Sequence, residues 1–432
     1  MTGVTEAGAP ELGLFVIFWS NARTEQERII RHTQKLFDVR RVYAIHWTRE
    51  LVPANYARFN RRRLDPPFRP ALQEHREDGP ILLVTAVDST PRYEPRVMAK
   101  GAAHVNAKFF DARQEFRVWT GEASSVHGSV SATQAARDLM LLLGTDPKTH
   151  LKENPHPWNG DIEEIHRDLS GARGWSSPTD LFYALNHTVR YVVLRNFEGL
   201  PHSLHVGSHE DVDLLTDDYQ ELIRVMNGRP HIRCVPPRGG PYWVKISGED
   251  MWFDLRFVGD RYYNPTWALE ILDRRVWNAG GFFSPSDEDY FESLAYHAVM
   301  HKESLSAEYR QRLAAMASSL GHPGWEVSAL EDPARVKALL DKILERHGCG
   351  YCRPRDVNVF YNFEAAGHHW PRVRRKLAGL FRKALRVGYR LWRRLNVRCG
   401  EARETLHHKA PWFTAALHVP WRGRVKHRLA QL

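Results

Sequence analysis

Asp211 and Asp213 alternate with apolar residues in the run D-V-D-L-L, and a later apolar stretch, M-W-F-D-L-R-F, carries Asp254 at its centre. Both stretches have the spacing of strands, and side chains two apart on a strand share a face, so the first two acids point the same way. Like charges held a few Å apart repel, and a bound divalent cation is the usual means of keeping both ionised. A lone acid among large hydrophobes, as at Asp254, needs a partner. Three acids on two strands therefore predict a Mg²⁺ site for phosphoryl chemistry. Asp211 and Asp213 would hold the metal and orient donor phosphates, with Asp254 as third ligand or as base on an acceptor hydroxyl. The structural alternative is a pair of acids on a solvated turn.

The elements that must position these acids are readable around them. Tyr191 to Leu194 is a buried apolar strand leading into a turn, and Pro178 to Asn186 before it reads as a helix capped by Ser177 or Thr179. Asp217 to Asn227 reads as a helix with Leu222, Val225 and Met226 on one face. Tyr242 to Ile246 and Met251 to Val258 form a hairpin about residues 247–250, which presents Asp254.

This pattern resembles the nucleotidyltransferase fold, in which an acid-x-acid strand and a third acid on a later strand hold Mg²⁺ and a nucleotide. More narrowly, residues 175–254 are similar to LicD and fukutin-type relatives, which pass a phosphorylated alcohol from a CDP donor to a glycan. The resemblance implies a nucleotide-activated donor and a glycan or lipid-linked acceptor. It departs from the family where Gly-Ser usually follows the first strand: Arg195 and Asn196 stand there, and Gly207-Ser208 lies just before Asp211. Arg195 is then expected to offer a guanidinium to the phosphates in compensation, with Asn196 beside it, or else to form a surface ion pair.

A chain of 432 residues has room for two or three domains, and ordinary apolar content with mixed charge makes it globular. The apolar runs, such as Leu12 to Trp19, are too short to span a bilayer, and four cysteines do not make a disulfide framework. With no signal-peptide pattern at the N-terminus, a cytoplasmic protein is expected. The net charge of +10 is local: from Ala365 onward seventeen Lys and Arg face two Glu, leaving 44 basic against 49 acidic residues elsewhere. That excludes a body-wide nucleic-acid groove and points to a basic appendage. In residues 371–398, Val373, Leu377, Phe381, Leu385, Trp392 and Leu395 recur near helical spacing among eleven cations. Such a helix, with Trp412 and Trp421 beyond it, suits an anionic membrane surface, so the protein is expected to be peripheral on the inner face of the membrane. A helix packed on the body is the alternative, and nucleic acid, including nucleotidyl addition to RNA, is a third reading.

Before the carboxylates, Leu14 to Phe18 reads as a strand, Thr24 to Phe37 as a helix capped by Thr24 with Glu27, and Val39 to Trp47 as a strand. A short helix (Glu50 to Phe59), a strand (Pro80 to Val87), a less regular stretch (Arg92 to Gly121) and a helix (Ser129 to Leu143) ending at Gly144 follow. The words P-A-N-Y-A-R-F, G-P-I-L-L-V-T and V-H-G-S, then R-D-L-M-L-L-L-G, resemble nucleoside diphosphate kinase in order over residues 12–146. The resemblance implies a ferredoxin-like domain with His127 as phosphorylated nucleophile, Ser129 as its hydroxyl neighbour and Tyr56 beside it. The family's Lys after the first strand is Trp19 here and its Asp after H-G-S is Val130, so a degenerate domain used for docking or regulation is expected.

The overall expectation is an α+β chain: a kinase-like domain over 12–146, a linker over 147–175 with a short helix at Ile162 to Leu169, a nucleotidyltransferase-like α/β domain with a helical part over 176–364, and the tail, 365–432. In the helical part Ser286 and Asp289 give a start signal, and His297 and His301, four apart, share a face. His297 and Lys302 are expected to border the phosphate pocket, a buried His pair being the alternative. Cys349 and Cys352 form one C-x-x-C, half of what a structural zinc site needs, and read as incidental thiols.

Overall fold

The computed structural model describes residues 9–18, 24–60, 80–98, 101–121, 124–202, 211–231 and 239–367. Two five-stranded sheets with helices packed on them make a mixed α+β chain. The basic tail after Gly367, and with it the expected membrane-facing helix, lies outside the described residues, as do Trp19 and the Gly207-Ser208 pair.

The first half runs β1 (Glu11–Ile17), α1 (Gln26–Leu36), β2 (Asp38–His46), α2 (Val52–Phe59), β3 (Ile81–Asp88), the hairpin β4 (Tyr93–Met98) and β5 (Gly101–Asn106), then α3 (Ala107–Trp119), β6 (Val126–Gly128), α4 (Ala132–Leu143), α5 (Pro147–Glu153) and β7 (Ile162–His166). Strand order is β6-β1-β3-β2-β7, antiparallel except where β7 joins β2 in parallel. The continuous apolar run I-L-L-V-T-A-V puts β3 at the centre, buried at every position. Alternate residues then serve two cores. Phe15, Ile17 and Val84 pack with Ile29, Ile30, Phe109 and Phe116 of α1 and α3. Leu14, Val16 and Leu83 pack with Tyr56, Phe59, Leu139 and Leu142 of α2 and α4. Gly13 is required by close approach, since a Cβ there would fall 2.1 Å from the Phe109 ring.

Several expected details differ. Glu25, not Thr24, precedes α1, and it makes no side-chain cap bond. Residues 92–121 hold a hairpin and a three-turn helix rather than irregular chain: β4 and β5 are largely exposed, so they lack the apolar alternation that announces a strand. The helix expected at 162–169 is instead the strand β7. I-E-E-I-H carries its acids outward on a sheet edge, where backbone pairing with β2 decides the conformation. The stretch 147–175 is thus built into the first sheet and its seam with the second half.

His150, in α5, is buried in this half, with Nε2 3.2 Å from the Thr85 hydroxyl. Burial, with Arg41 adding, pushes its pKa down to about 4. The folded chain keeps it neutral, so below about 6.5 the unfolded chain takes up a proton that the folded chain refuses, and stability falls from there toward pH 4. In urea titrations, His150→Gln should reduce the loss of stability between pH 7.5 and pH 5 by about 2 kcal/mol relative to the wild type. An unchanged pH slope would show that His150 titrates normally.

The second half runs α6 (Pro178–Thr188), β8 (Tyr191–Val193), β9 (Asp211–Thr216), α7 (Tyr219–Met226), β10 (Arg229–Pro230), β11 (Gly240–Ile246), β12 (Glu249–Phe257), α8 (Pro265–Asp273), the small pair β13 (Val276–Asn278) and β14 (Phe282–Ser284), then α9 (Asp287–Met300), α10 (Ala307–Leu320) and α11 (Pro333–Arg346). Its sheet has the order β10-β11-β12-β9-β8; β12 and β9 are parallel and the other pairs antiparallel. Ser177, Asp218 and Ser286 cap α6, α7 and α9 through their side chains. One face, with Val193, Val212, Leu214, Val244, Phe253 and Leu255, packs on Leu181, Phe182, Leu222 and Val225 of α6 and α7. On the opposite face, Val192, Leu194 and Leu215 lie under the helical part, against Trp267, Phe291, Leu294 and Leu340.

The halves meet through a half-buried cation. From α2, Arg58 donates to the carbonyls of Ser170, Arg224 and Val225, each at 2.7 Å, and burial pushes its pKa down to about 9. Trp175 adds a bond from its indole to the Met226 carbonyl at 3.0 Å. Arg58→Met leaves three carbonyls short of a donor and should cost about 3 kcal/mol. Chemical denaturation should then show the two halves parting in separate steps; a single transition at the wild-type midpoint would rule this seam out.

Candidate metal centre

Three carboxylates converge on the second sheet. In the parallel pairing of β9 with β12, Asp213 lies directly beside Asp254 and Asp211 beside Trp252. One oxygen from each of Asp211, Asp213 and Asp254 lies within 4.8 Å of the others. The period of two places all three on the face opposite α6 and α7. Asp213 is buried, while Asp211 and Asp254 are half-buried.

Two arginines sit beneath the acids. Arg195, just past β8, is buried and donates from Nη2 to Asp213. Arg256, two residues after Asp254 and so on the same face, donates from Nη2 to Asp254 Oδ2 at 2.5 Å and from Nη1 to Asp356 at 3.1 Å. Both guanidiniums lie against the Tyr262 ring, Arg256 at 4.5 Å and Arg195 at 5.9 Å from its centre. Burial works against their charges, but the adjacent carboxylates hold both above the ordinary arginine value. Burial, joined by the charges of Asp211 and Asp254 and opposed by Arg195, pushes Asp213 up to about 7. Burial also lifts Asp260, which accepts from the backbone of Phe257 and Tyr262, to about 6.

Three buried polar atoms here have no hydrogen-bond partner among the described residues: Asp254 Oδ1, Arg195 Nη1 and Arg256 Nε. Buried groups are normally satisfied, so an orphaned carboxylate oxygen beside two other acids marks a place for a ligand. The donor set is all oxygen and small in number, which fits a hard cation that keeps most of its own water.

The other expected residues are placed as follows. Arg195 is the counter-ion of Asp213, and its second amino group has no partner among the described residues. Asn196 adopts a left-handed turn (φ 56°) and accepts from Arg312 at 3.0 Å. His297 does not face the acids directly. Its Nδ1 meets the Tyr262 hydroxyl at 2.5 Å, and burial, with Arg195 and other cations adding, holds it well below the usual imidazole range. His301 lies 3.1 Å from the Tyr262 carbonyl and 3.2 Å from that of Phe360, and burial pushes it down to about 3. The two histidines are thus neutral props for Tyr262. Lys302 follows them, and its charge helps to lower His297. Cys349 and Cys352 are half-buried thiols, Cys349 pushed up by burial to about 11, and they join no metal-competent group among the described residues.

His127, Ser129 and Tyr56 belong to the first half, on β6, just past it and on α2. His127 is on β6 rather than at a helix start; α4 begins at Ala132, capped by Ser131. Its Nε2 lies 2.6 Å from Asp138 Oδ2, and Asp138 is fully buried and held by Arg137. Ser129 Oγ accepts from the Leu14 backbone at 2.9 Å, which ties β6 to β1. Tyr56 is buried with its ring 5.2 Å from that of Phe18. Sequence reasoning missed Arg256 and Tyr262 as parts of the metal centre; the D-L-R spacing was the signal for the first, whereas Tyr262 arrives across a turn and had none.

The site and sheet together define a mixed α/β protein with a three-carboxylate centre that could hold a metal ion. No family model matches the chain, and no curated protein matches its sequence. Among the described residues no helix is long and apolar enough to cross a membrane.

Proposed function

We propose that the chain is a Mg²⁺-dependent transferase that takes a nucleotide-activated donor, an NTP or a CDP-alcohol, and passes a nucleotidyl or phospho-alcohol group to a glycan or membrane-linked acceptor. The convergence of the Asp211, Asp213 and Asp254 oxygens, with Asp254 Oδ1 unsatisfied, carries this reading. Asp211 and Asp213 would hold the cation, which when bound neutralises donor phosphate oxygens and orients them. Asp254 Oδ1 would be the third ligand or the base that accepts the proton of the acceptor hydroxyl, with Arg256 fixing the other oxygen. Arg195 keeps Asp213 in place, and Nη1, unpartnered among the described residues, would donate to a phosphate oxygen. The antiparallel pair β8 and β9, followed by β12 parallel to β9, suits the nucleotidyltransferase-like layout expected from the sequence.

For the first half we propose a ferredoxin-like, kinase-like domain used for docking or regulation. Its β-α-β-β-α-β order with β6-β1-β3-β2 pairing supports the fold. The engagement of His127 by Asp138 supports a structural role for that histidine. A second reading of the whole chain, an inert docking protein, draws on the two ion pairs that already balance Asp213 and Asp254.

Thermal shift with Mg²⁺ and a panel of NTPs and CDP-alcohols separates the two. A donor at a hundred times its Kd should add about 2.7 kcal/mol of stability, and only with metal present. No stabilisation by any nucleotide in saturating Mg²⁺ would leave the docking reading.

A further inference from the structure

We propose that Trp252, with Trp243 and His231 beside it, is a stacking shelf for the base of a nucleotide whose phosphates face the three carboxylates. The inference rests on the metal-site reading and adds to it the place and chemistry of nucleoside recognition. Trp252 precedes Asp254 by two residues and pairs in register with Asp211, so its side chain lies on the carboxylate face. Trp243 is its cross-strand partner on β11 and extends the same face. The rings form one cluster: Trp243 and Trp252 have centroids 5.1 Å apart, and His231 stacks on Trp252 at 4.8 Å and 25°. All three keep part of their surface open to solvent, while the alternating residues Tyr242, Val244, Met251 and Phe253 are buried on the opposite face.

Among the described residues neither indole belongs to the hydrophobic clusters on the two faces of this sheet. A nucleotide fits on distance and on charge. Residues two apart on a strand are about 6.8 Å apart, comparable to the reach from a base across its ribose to the first phosphate. The acids repel phosphate unless a cation lies between, whereas a neutral base on a neutral indole needs no such screening. That fixes the orientation: phosphates toward Asp211 and Asp254, base toward Trp252. Stacking on indole tolerates any base, so the shelf contributes affinity more than base choice.

Isothermal titration with Mg·ATP, Mg·CTP and ribose 5-phosphate plus Mg²⁺ tests this on the full chain. Trp252→Ala should weaken both nucleotides about tenfold or more, Trp252→Phe by much less, with Mg²⁺ affinity and ribose 5-phosphate binding unchanged. If Trp252→Ala fails to fold, Trp252→Leu, which keeps an apolar side chain without a π-face, gives the same comparison. Nucleotide affinity unchanged in these variants overturns the shelf, as does an equal loss for ribose 5-phosphate, which would mean that the face reads sugar. A wild type that binds Mg²⁺ but no nucleotide overturns the shelf and leaves the cation site; one that binds no Mg²⁺ overturns the metal reading as well.

Discussion

Asp211→Asn is expected to abolish Mg²⁺-dependent stabilisation and with it the proposed transferase activity, by about a thousandfold or more, while leaving the metal-free protein at least as stable as the wild type. The first effect follows from losing one of three hard ligands at a site that offers few others. The second follows from placement: Asp211 is half-buried, and among the described residues no hydrogen bond or ion pair holds it. Its charge adds to the burial that pushes Asp213 up. Removing that charge relieves repulsion, so in metal-free buffer the melting temperature should stay level or rise. A melting temperature lowered by several degrees without metal would show that Asp211 is structural.

Arg195→Met is expected to behave in the opposite way. Arg195 is buried against Asp213, and removing one partner of a buried pair leaves the other uncompensated, at about 3–5 kcal/mol. The cost should depend on metal, because a cation among the carboxylates replaces part of the lost positive charge. Mg²⁺ should therefore raise the melting temperature of Arg195→Met more than that of the wild type. Equal shifts would mean that Arg195 and the cation do not act on the same carboxylate.

The convergence of the acids was legible because it needs only the period of two and the apolar runs around D-V-D and F-D-L: alternation sets the face, and burial of Val212, Leu214, Phe253 and Leu255 sets the register. The hairpin turn at Ser247-Gly248 was legible from its residue types, and both residues do adopt positive φ. Less visible was what neutralises the acids. Arg195 at a strand end reads as a phosphate ligand alone until the chain is folded and Asp213 is found within reach of Nη2. Long-range contacts of this kind, and the support of Tyr262 by His297 and His301, depend on how helices pack rather than on local spacing. The same holds for His127. The words around it suggested a helix start, but Ser131 caps that helix and His127 pairs with Asp138 a helical turn and more beyond the cap. The exposed hairpin β4–β5 and the edge strand β7 bury little, so nothing in their apolar pattern marks them.

The most direct test of the central claim is a crystal of the protein soaked in Mn²⁺ as an anomalous stand-in for Mg²⁺. The account predicts one strong peak about 2.1 Å from carboxylate oxygens of Asp211, Asp213 and Asp254, lost in Asp211→Asn. Full Mn²⁺ exposure with no peak among these oxygens, or a peak held by other residues, would contradict it.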